Sequence, residues 1–488
     1  MPEPSRNALA APAADPIGSS LALFICPSCR KELKALATSG DVLDCLHCGT
    51  SFPLLEVDGV TVPWLMPDPE SARYEWKARL NGFLERNHAE QTQLLGALRK
   101  VARGSLAEKR LARLADALAA QRTAVVERLA PLGFDDVEFN DETDPGRRLA
   151  NKLPANQGLS SYYDNLFRDW AWDNGENETL AGIVRDLLRT AGCKRPGRMA
   201  TLGAGACRLP YDLHRAMHPA QSIVVDFNPL LLLTAVAVMA GRETYLHEIP
   251  VAPRGIDEVA HEQLLRAPAP LPLADDDSFL AVLGDVTNLP FADATIDVVV
   301  TPWLIDIISE EFSSFARRIN AHLAPDGLWV NTGSLAFFGA DPLHTYSAEE
   351  VLDIVESNGF EIVSARRDTV PYLCSPLSAH GRQEELFSFV ARKCRDAAPA
   401  DRHRVLPDWL IDLSQPIPTD AARAIESSRH LLLAQVLGAT DGKRSVEALG
   451  TLLAEHHGLA PAEAIHAVRR IFVEQLELRA PARSGAAP

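Results

Sequence analysis

Between Met199 and Val390 the chain alternates short apolar runs with stretches of helical pattern, and no other feature restricts the fold as strongly. The runs are Met199-Ala-Thr-Leu202, Ser222-Ile-Val-Val225, Phe279-Leu-Ala-Val-Leu283, Ile296-Asp-Val-Val-Val300, Leu328-Trp-Val-Asn331, Phe360-Glu-Ile-Val363 and Leu386-Phe-Ser-Phe-Val390. Short apolar segments spaced by helical periodicity suit buried strands linked by crossover helices. Five of them alternate with helices and are expected to pair in parallel. The last two close the domain and admit an antiparallel edge. An α/β domain with a seven-stranded sheet is the fold class this predicts.

With 488 residues, 47% of them hydrophobic, the chain can bury a large core and has length for two to four domains. Its net charge of −17 disfavours broad attraction to phosphate backbones or anionic lipid, so neither nucleic acid nor a membrane is an expected partner. No apolar run reaches about 18 residues. The stretch Met1 to Ser20 lacks a basic start followed by an apolar core, so no export signal is read and a cytoplasmic location is expected. Residues 1–20, rich in Ala, Pro and Ser, are expected to be a disordered leader.

Four further regions follow from pattern and punctuation. Residues 21–68 hold paired cysteines and end in the Pro-bounded run Val60 to Pro67, as a small β domain would. Across 70–134 leucines and valines recur at three- and four-residue steps, broken once at Gly104-Ser105, which predicts a helical hairpin. A polar linker, Asp135 to Pro154, precedes the α/β domain at 155–395. Residues 402–480 are again helical in pattern and are read as a separate module.

Cys26-Pro-Ser-Cys29 and Cys45-Leu-His-Cys48 form two C-x-x-C knuckles fifteen residues apart, the spacing of a four-thiolate zinc ribbon. Two tight turns give two soft ligands each, and the ion substitutes for a core that so short a segment cannot build. Unliganded buried thiols would not need this pairing, and a redox site would need one pair beside a helix start. A closed four-cysteine site has no open coordination position, so the Zn2+ is assigned a structural role. The other four cysteines are read as reduced thiols.

The turn Leu202-Gly203-Ala-Gly205-Ala-Cys-Arg208 lies between a predicted strand and a predicted helix, where glycines let backbone approach a ligand at the helix N-terminus. Tight packing alone would also explain it. Downstream, Asp226 ends the second strand and Gly284-Asp285-Val286 ends the third. Asp226 can accept both ribose hydroxyls of a nucleoside, and Asp285 with Val286 can hold the adenine amino group and edge. Thr301-Pro302-Trp303 ends the fourth strand over the same crevice.

This order of features resembles class I S-adenosylmethionine-dependent methyltransferases, and more narrowly the carnosine N-methyltransferase (N2227-like) family. The stretches Phe167-Arg-Asp-Trp170, Gly203 to Leu209, Asp226-Phe-Asn-Pro-Leu-Leu-Leu, Gly284-Asp285, Trp303-Leu-Ile-Asp306 and Leu323 to Gly333 carry the likeness. It implies a Rossmann-like methyltransferase domain in which Gly203, Gly205, Asp226, Asp285, Val286 and Pro302 contact S-adenosyl-L-methionine. Arg208 and Arg168 are its candidates to pair with the cofactor's carboxylate, although arginines so placed also serve as surface or capping charges. Three departures stand out: Cys207 replaces a family glycine, and Phe338 and Arg382-Gln383-Glu384 occupy places where the family has a histidine and a tyrosine cluster. Carnosine is therefore not carried over as the substrate.

Methyl transfer from a sulfonium is an in-line displacement, so alignment and exclusion of water matter more than a strong base. Asp306 matches the family acid that orients the acceptor nitrogen, and is the candidate catalytic residue; the competing reading is an N-capping or solvated acid opening the next helix. His247, His344 and His380 read as surface histidines. The run Cys45 to Leu65 resembles Trm112-like zinc domains, which accompany or activate methyltransferases. Asp441-Gly-Lys-Arg-Ser-Val-Glu-Ala-Leu resembles PqqD-type peptide-binding winged-helix domains, with a plain helical packing domain as the alternative. The expected activity is N-methylation of a small molecule or peptide, on an imidazole or amine nitrogen. The alternative is a non-catalytic scaffold acting through its zinc module and a peptide or protein partner at its C-terminal module.

Overall fold

The computed structural model describes residues 23–35, 42–134, 145–155, 157–274, 276–337, 342–412, 414–416 and 421–479; the expected leader at 1–20 and Phe338 lie outside them. Two compact units divide the chain, one to Pro407 and one from Asp408.

The first unit begins with four short strands, β1 (Lys34–Ala35), β2 (Val42–Asp44), β3 (Ser51–Val57) and β4 (Val60–Leu65). Asp58 and Gly59, with φ of +50° and +86°, make the tight turn between β3 and β4, the conformation that Asp-Gly favours in a two-residue hairpin. Two helices follow, α1 (Pro69–Leu98) and α2 (Leu106–Leu129). Asp68 caps α1 by accepting from the Ser71 N–H, with Pro69 in the first turn, and Ser105 caps α2 through the Glu108 N–H. The hairpin is cross-linked inside by Asn87, Gln91 and Gln121, with Arg122 donating to Asn87 and Gln91.

After α3 (Pro145–Ala150), α4 (Asp164–Trp170) and α5 (Glu176–Thr190), strands and helices alternate: β5 (Arg198–Leu202), α6 (Arg208–Met217), β6 (Gln221–Asp226), α7 (Pro229–Met239). A hairpin, β7 (Thr244–Glu248) with β8 (His261–Leu265), is inserted before β9 (Phe279–Gly284). Then come β10 (Ile296–Pro302), α8 (Phe312–His322), β11 (Leu323–Gly333), α9 (Ala348–Ser357), β12 (Phe360–Tyr372) and β13 (Arg382–Lys393). All seven predicted strands are present. They lie in the order β9-β6-β5-β10-β11-β13-β12, parallel except for β13, which runs antiparallel to both neighbours. The antiparallel member thus sits one place inside the sheet rather than at its edge. This is the Rossmann-like methyltransferase architecture, and α7, all eleven residues of which are buried, is its most apolar helix.

At the opposite edge β4 pairs in parallel with β9, Trp64 opposite Leu283 and Leu65 opposite Gly284, so the four strands of the segment that holds the paired cysteines continue the same sheet to eleven strands. Neither this junction nor the β7–β8 hairpin is signalled by the sequence pattern, because β4 reads as the end of a small domain.

The second unit contains α10 (Asp408–Ile411), α11 (Ala421–Gly438), α12 (Val446–His457) and α13 (Pro461–Arg479) around Val436, Leu449, Leu453, Ala464 and Val468. Asp441 accepts from the Lys443 and Arg444 N–H groups to shape the turn before Ser445, the cap of α12. Among its described residues there is no strand, so a wing is not seen there.

Candidate active site

The carboxyl ends of β5, β6, β9 and β10 bring the predicted residues to one edge of the sheet. Gly203 and Gly205 follow β5 with φ of +66° and +56°, and a Cβ on Gly203 would come within 2.9 Å of Leu304. Cys207 also adopts a left-handed backbone, φ +66°, at the start of α6. Glycine reaches that conformation without penalty, which explains why the related pattern has glycine there. The Gly205 N–H donates to Asp226 Oδ2 at 2.7 Å and the Asn228 N–H to Asp226 Oδ1 at 2.8 Å. Burial pushes the Asp226 carboxyl up to about 6, against the lowering effect of those backbone bonds. Asp285 accepts from the Thr287 N–H and hydroxyl through Oδ1, and from the Asn288 amide through Oδ2 at 2.8 Å. Val286 is buried beside it. Pro302 ends β10, and Trp303 turns the chain with φ +49°; a Cβ on Gly333 would lie 2.8 Å from the Trp303 Cα.

The two arginines differ. Arg208 engages Asp212 through Nε at 3.0 Å, the Asp169 carbonyl through Nη1 at 2.7 Å and Glu178 through Nη2 at 3.3 Å, so its guanidinium braces α6 against its neighbours. Arg168 uses Nε for Asp169, at 2.7 Å, and its guanidinium lies 5.9 Å from the Tyr372 ring. Its two Nη groups make no hydrogen bond among the described residues, which makes Arg168 the better placed of the two to meet a carboxylate.

Asp306 is buried and accepts through Oδ2 from the Ser334 hydroxyl and from the Ala336 N–H at 3.0 Å. It does not cap the next helix: Glu311 caps α8, through the N–H groups of Ser313 and Ser314. Burial raises the Asp306 carboxyl, and nearby Glu384 adds to the rise. Around it are residues that the sequence reading passed over. Tyr372 lies against Trp303, with ring centroids 4.4 Å apart, and carries Arg382 on its face at 4.6 Å. Tyr162 feels the charges of Asp226 and Asp306 and the phenol of Tyr372, which, after burial, lift its hydroxyl to about 12. Both acids are thus near it, and its sequence signal is the pair Tyr162-Tyr163 just ahead of α4. His344 and His380 are exposed and His247 is half-buried.

The four sulfurs of Cys26, Cys29, Cys45 and Cys48 lie within 4.8 Å of one another, with Cys26–Cys48 at 3.7 Å and Cys29–Cys45 at 3.4 Å. A tetrahedron of thiolates at a zinc–sulfur distance of about 2.3 Å has edges of about 3.8 Å, so the donor set fits a closed metal site. Each knuckle is shaped by its backbone: Arg30 N–H to Cys26 O, and Gly49 N–H to Cys45 O, both 2.8 Å. The first knuckle is bound to the segment that follows Asp285. Ile25 N–H donates to Pro290 O at 2.9 Å, Ala292 N–H to Leu23 O at 3.0 Å, and Arg30 pairs with Asp293 at 2.6 Å.

Residues 148–395 match the protein family described as carnosine N-methyltransferase. No curated protein matches the chain. Among solved structures, the N-methyltransferase NodS from Bradyrhizobium japonicum WM9 is 13% identical, over 46% of this chain and 99% of its own, with a TM-score of 0.31. YcgJ from Bacillus subtilis is 12% identical over 45% and 99%, with a TM-score of 0.30. A SAM-dependent methyltransferase from Methanosarcina mazei is 13% identical over 43% and 97%, with a TM-score of 0.29.

Proposed function

This chain belongs to the carnosine N-methyltransferase family, and from that premise we propose that it methylates a nitrogen of a small molecule or short peptide held beside Asp306. It is an S-adenosylmethionine-dependent methyltransferase. The observation that carries the finer reading is the alignment of Gly203, Gly205, Asp226, Asp285 and Asp306 at the carboxyl ends of adjacent strands, with Asp226 and Asp306 both near enough to act electrostatically on Tyr162.

When bound, S-adenosylmethionine supplies an electrophilic methyl carbon. The residues would hold it as follows. The Gly203–Gly205 turn gives room for backbone approach, and Asp226 accepts the ribose hydroxyls with the lone pairs its two backbone bonds leave free. Asp285 and Val286 take the adenine edge, Pro302 lines the floor, and Arg168 meets the carboxylate in preference to Arg208. Asp306 orients the acceptor nitrogen and takes or balances its proton; burial raises its carboxyl, which makes it a better proton acceptor than an exposed carboxylate. Trp303 and Tyr372 exclude water on that side. Arg382 pairs with Glu384 at 2.7 Å, so the region that holds tyrosines in the family resemblance is charged here. This supports an acceptor other than carnosine.

We assign Zn2+ to the four cysteines, as a structural ion that stiffens the strands continuing the sheet beyond β9. A peptide acceptor rests on the PqqD-like turn at Asp441 alone, and a peptide partner of residues 402–480 is its corollary. Calorimetry with S-adenosylmethionine tests the enzyme reading, with a dissociation constant in the micromolar range expected. Absence of binding would leave the non-catalytic scaffold as the answer. Methyl-label transfer to imidazoles, amines and peptides then identifies the acceptor.

A further inference from the structure

The family match ends at residue 395, yet the chain beyond it turns back onto the carboxyl edge of the sheet. The Cys394 and Arg395 N–H groups donate to Gly359 O, and the Ala397 N–H donates to Asn320 Oδ1 at 3.0 Å, which directs the segment along α8. Arg318 of α8 is buried with Glu310 and donates through Nη2 to Asp401 O at 2.8 Å. The next two residues spread over the ends of the strands. Arg402 donates to Asn151 Oδ1 at 2.7 Å, just past α3, and His403 Nε2 lies 2.9 Å from Ser309 Oγ, three residues after Asp306. The His403 carbonyl accepts from Asn288 Nδ2 at 3.5 Å, and the same amide donates to Asp285 Oδ2 at 2.8 Å. One side-chain amide therefore joins the returning segment to the carboxylate at the end of β9.

We infer that residues 401–403 form the outer wall of the adenosine end of the cofactor site, and that His403, anchored on Ser309, is a positioning residue that holds Asn288 and through it aims the Asp285 carboxylate. The inference rests on the proposed adenine role of Asp285. Asp285 Oδ1 already has two donors, so the direction in which Oδ2 offers its remaining lone pair depends on Asn288. The Asn288 amide also meets Thr287 Oγ1 at 3.1 Å, and the returning segment adds the His403 carbonyl as its outer partner. Burial lowers the His403 pKa, so its bond to Ser309 is made by a neutral ring at neutral pH. Asp285 acts electrostatically on both Arg402 and His403, in keeping with their closeness to it.

The test uses the full chain and two ligands, S-adenosylhomocysteine and 5′-methylthioadenosine, which share the adenosine end while only the first carries the amino-acid end. His403→Ala is expected to weaken both by the same factor, about five- to tenfold, the loss of roughly one hydrogen bond's restraint. Ser309→Ala should weaken both alike, and the double variant should lose no more than either single one, since both break the same link. His403→Gln, whose amide can reach Ser309, should restore affinity to within about twofold of wild type. Arg168→Ala is the contrast: it should weaken only S-adenosylhomocysteine. Wild-type affinity for both ligands in His403→Ala and Ser309→Ala would overturn the inference, and so would a loss confined to S-adenosylhomocysteine. If wild-type protein bound neither ligand, the adenine role of Asp285 would fall, and the inference with it.

Discussion

The carboxylate of Asp226 gives a prediction in which stability and binding separate. It is 6% exposed, accepts two backbone N–H bonds, and sits at about 6 because of burial. Its folded value lies above the ordinary carboxylate one, so its contribution to stability is fully present below about pH 4 and is lost as pH rises through about 6. A displacement of about two pH units means that ionised Asp226 costs the free protein about 3 kcal/mol at neutral pH. Asp226→Asn removes that cost but turns an NH2 toward one of the two N–H donors, at about 1–3 kcal/mol. The two nearly cancel, so the melting temperature should move by only a few degrees. Cofactor binding has no such compensation, since charge-assisted bonds to ribose are lost, and affinity should fall by about 1.5–3 kcal/mol, or roughly 10- to 150-fold. The wild-type protein carries a further signature. Ionised Asp226 rises from about one tenth at pH 5 to about nine tenths at pH 7, so calorimetric affinity should improve about tenfold over that interval. Asp226→Asn should flatten this dependence. A flat wild-type profile, or an Asn variant that binds as tightly as wild type, would remove Asp226 from the cofactor site.

For Asp306→Asn, turnover with a true acceptor should drop by about 10²–10⁴-fold at unchanged cofactor affinity, because the amide oxygen can still accept from Ser334 and Ala336; undiminished turnover at saturating cofactor refutes the catalytic role. Arg168→Ala should weaken S-adenosylmethionine by about 1.5–3 kcal/mol and also lower the melting temperature, because it strips the buried Asp169 of its partner, whereas Arg208→Ala should lower stability with little loss of affinity; undiminished affinity in Arg168→Ala beside a large loss in Arg208→Ala would exchange their roles. Elemental analysis of protein purified without chelator should give one zinc per chain, and Cys26→Ser or Cys48→Ser should lower the amount bound and destabilise the first knuckle and its contacts with Pro290 and Ala292. A metal-free preparation with unchanged stability would argue against that centre.

Much of the fold was legible because its strands are buried on both faces, as β6 and β10 show: such segments must be short, apolar and bounded by turns, and so they stand out. What was not legible depends on contacts distant in sequence. The β7–β8 hairpin, with residues such as His247, Glu262 and Gln263, has no continuous apolar face to announce it. The acids at strand ends were readable because topology forces them to one edge. The proposed preference for Arg168 over Arg208 was not, since it turns on Asp212 and Glu178 drawing one guanidinium away. Tyr162 escaped because a tyrosine ahead of a helix is ordinary until the fold brings it near both Asp226 and Asp306. The helix-cap alternative for Asp306 fails for a local reason: the chain makes a turn at 305–307 before α8 begins, and Glu311 takes the cap.

The junction at β9 explains why a metal-type segment and a methyltransferase sheet share one compact unit. Without β4, β9 would be an edge strand with unpaired N–H and C=O groups beside a site that must hold a fixed shape, and an open edge invites pairing with other chains. Pairing with Trp64 and Leu65 covers that edge close to Gly284 and Asp285. Gly284 is suited to the place: a Cβ there would meet Val225 at 3.3 Å and the Leu65 carbonyl at 3.6 Å. A two-residue parallel pairing is weak by itself, so it needs reinforcement at both ends. The first knuckle supplies this by bonding to residues 289–293, and α1, starting at Pro69, carries Trp76 into the core to lie 5.9 Å from Phe227, the residue after Asp226. Ligation of four thiolates would hold the knuckles in the shape those bonds require. On the proposed adenine role of Asp285, the shape of that side of the crevice therefore draws on residues more than 200 positions away in sequence, and loss of a metal bound by the four cysteines should be felt at Asp285 before it is felt at Asp306.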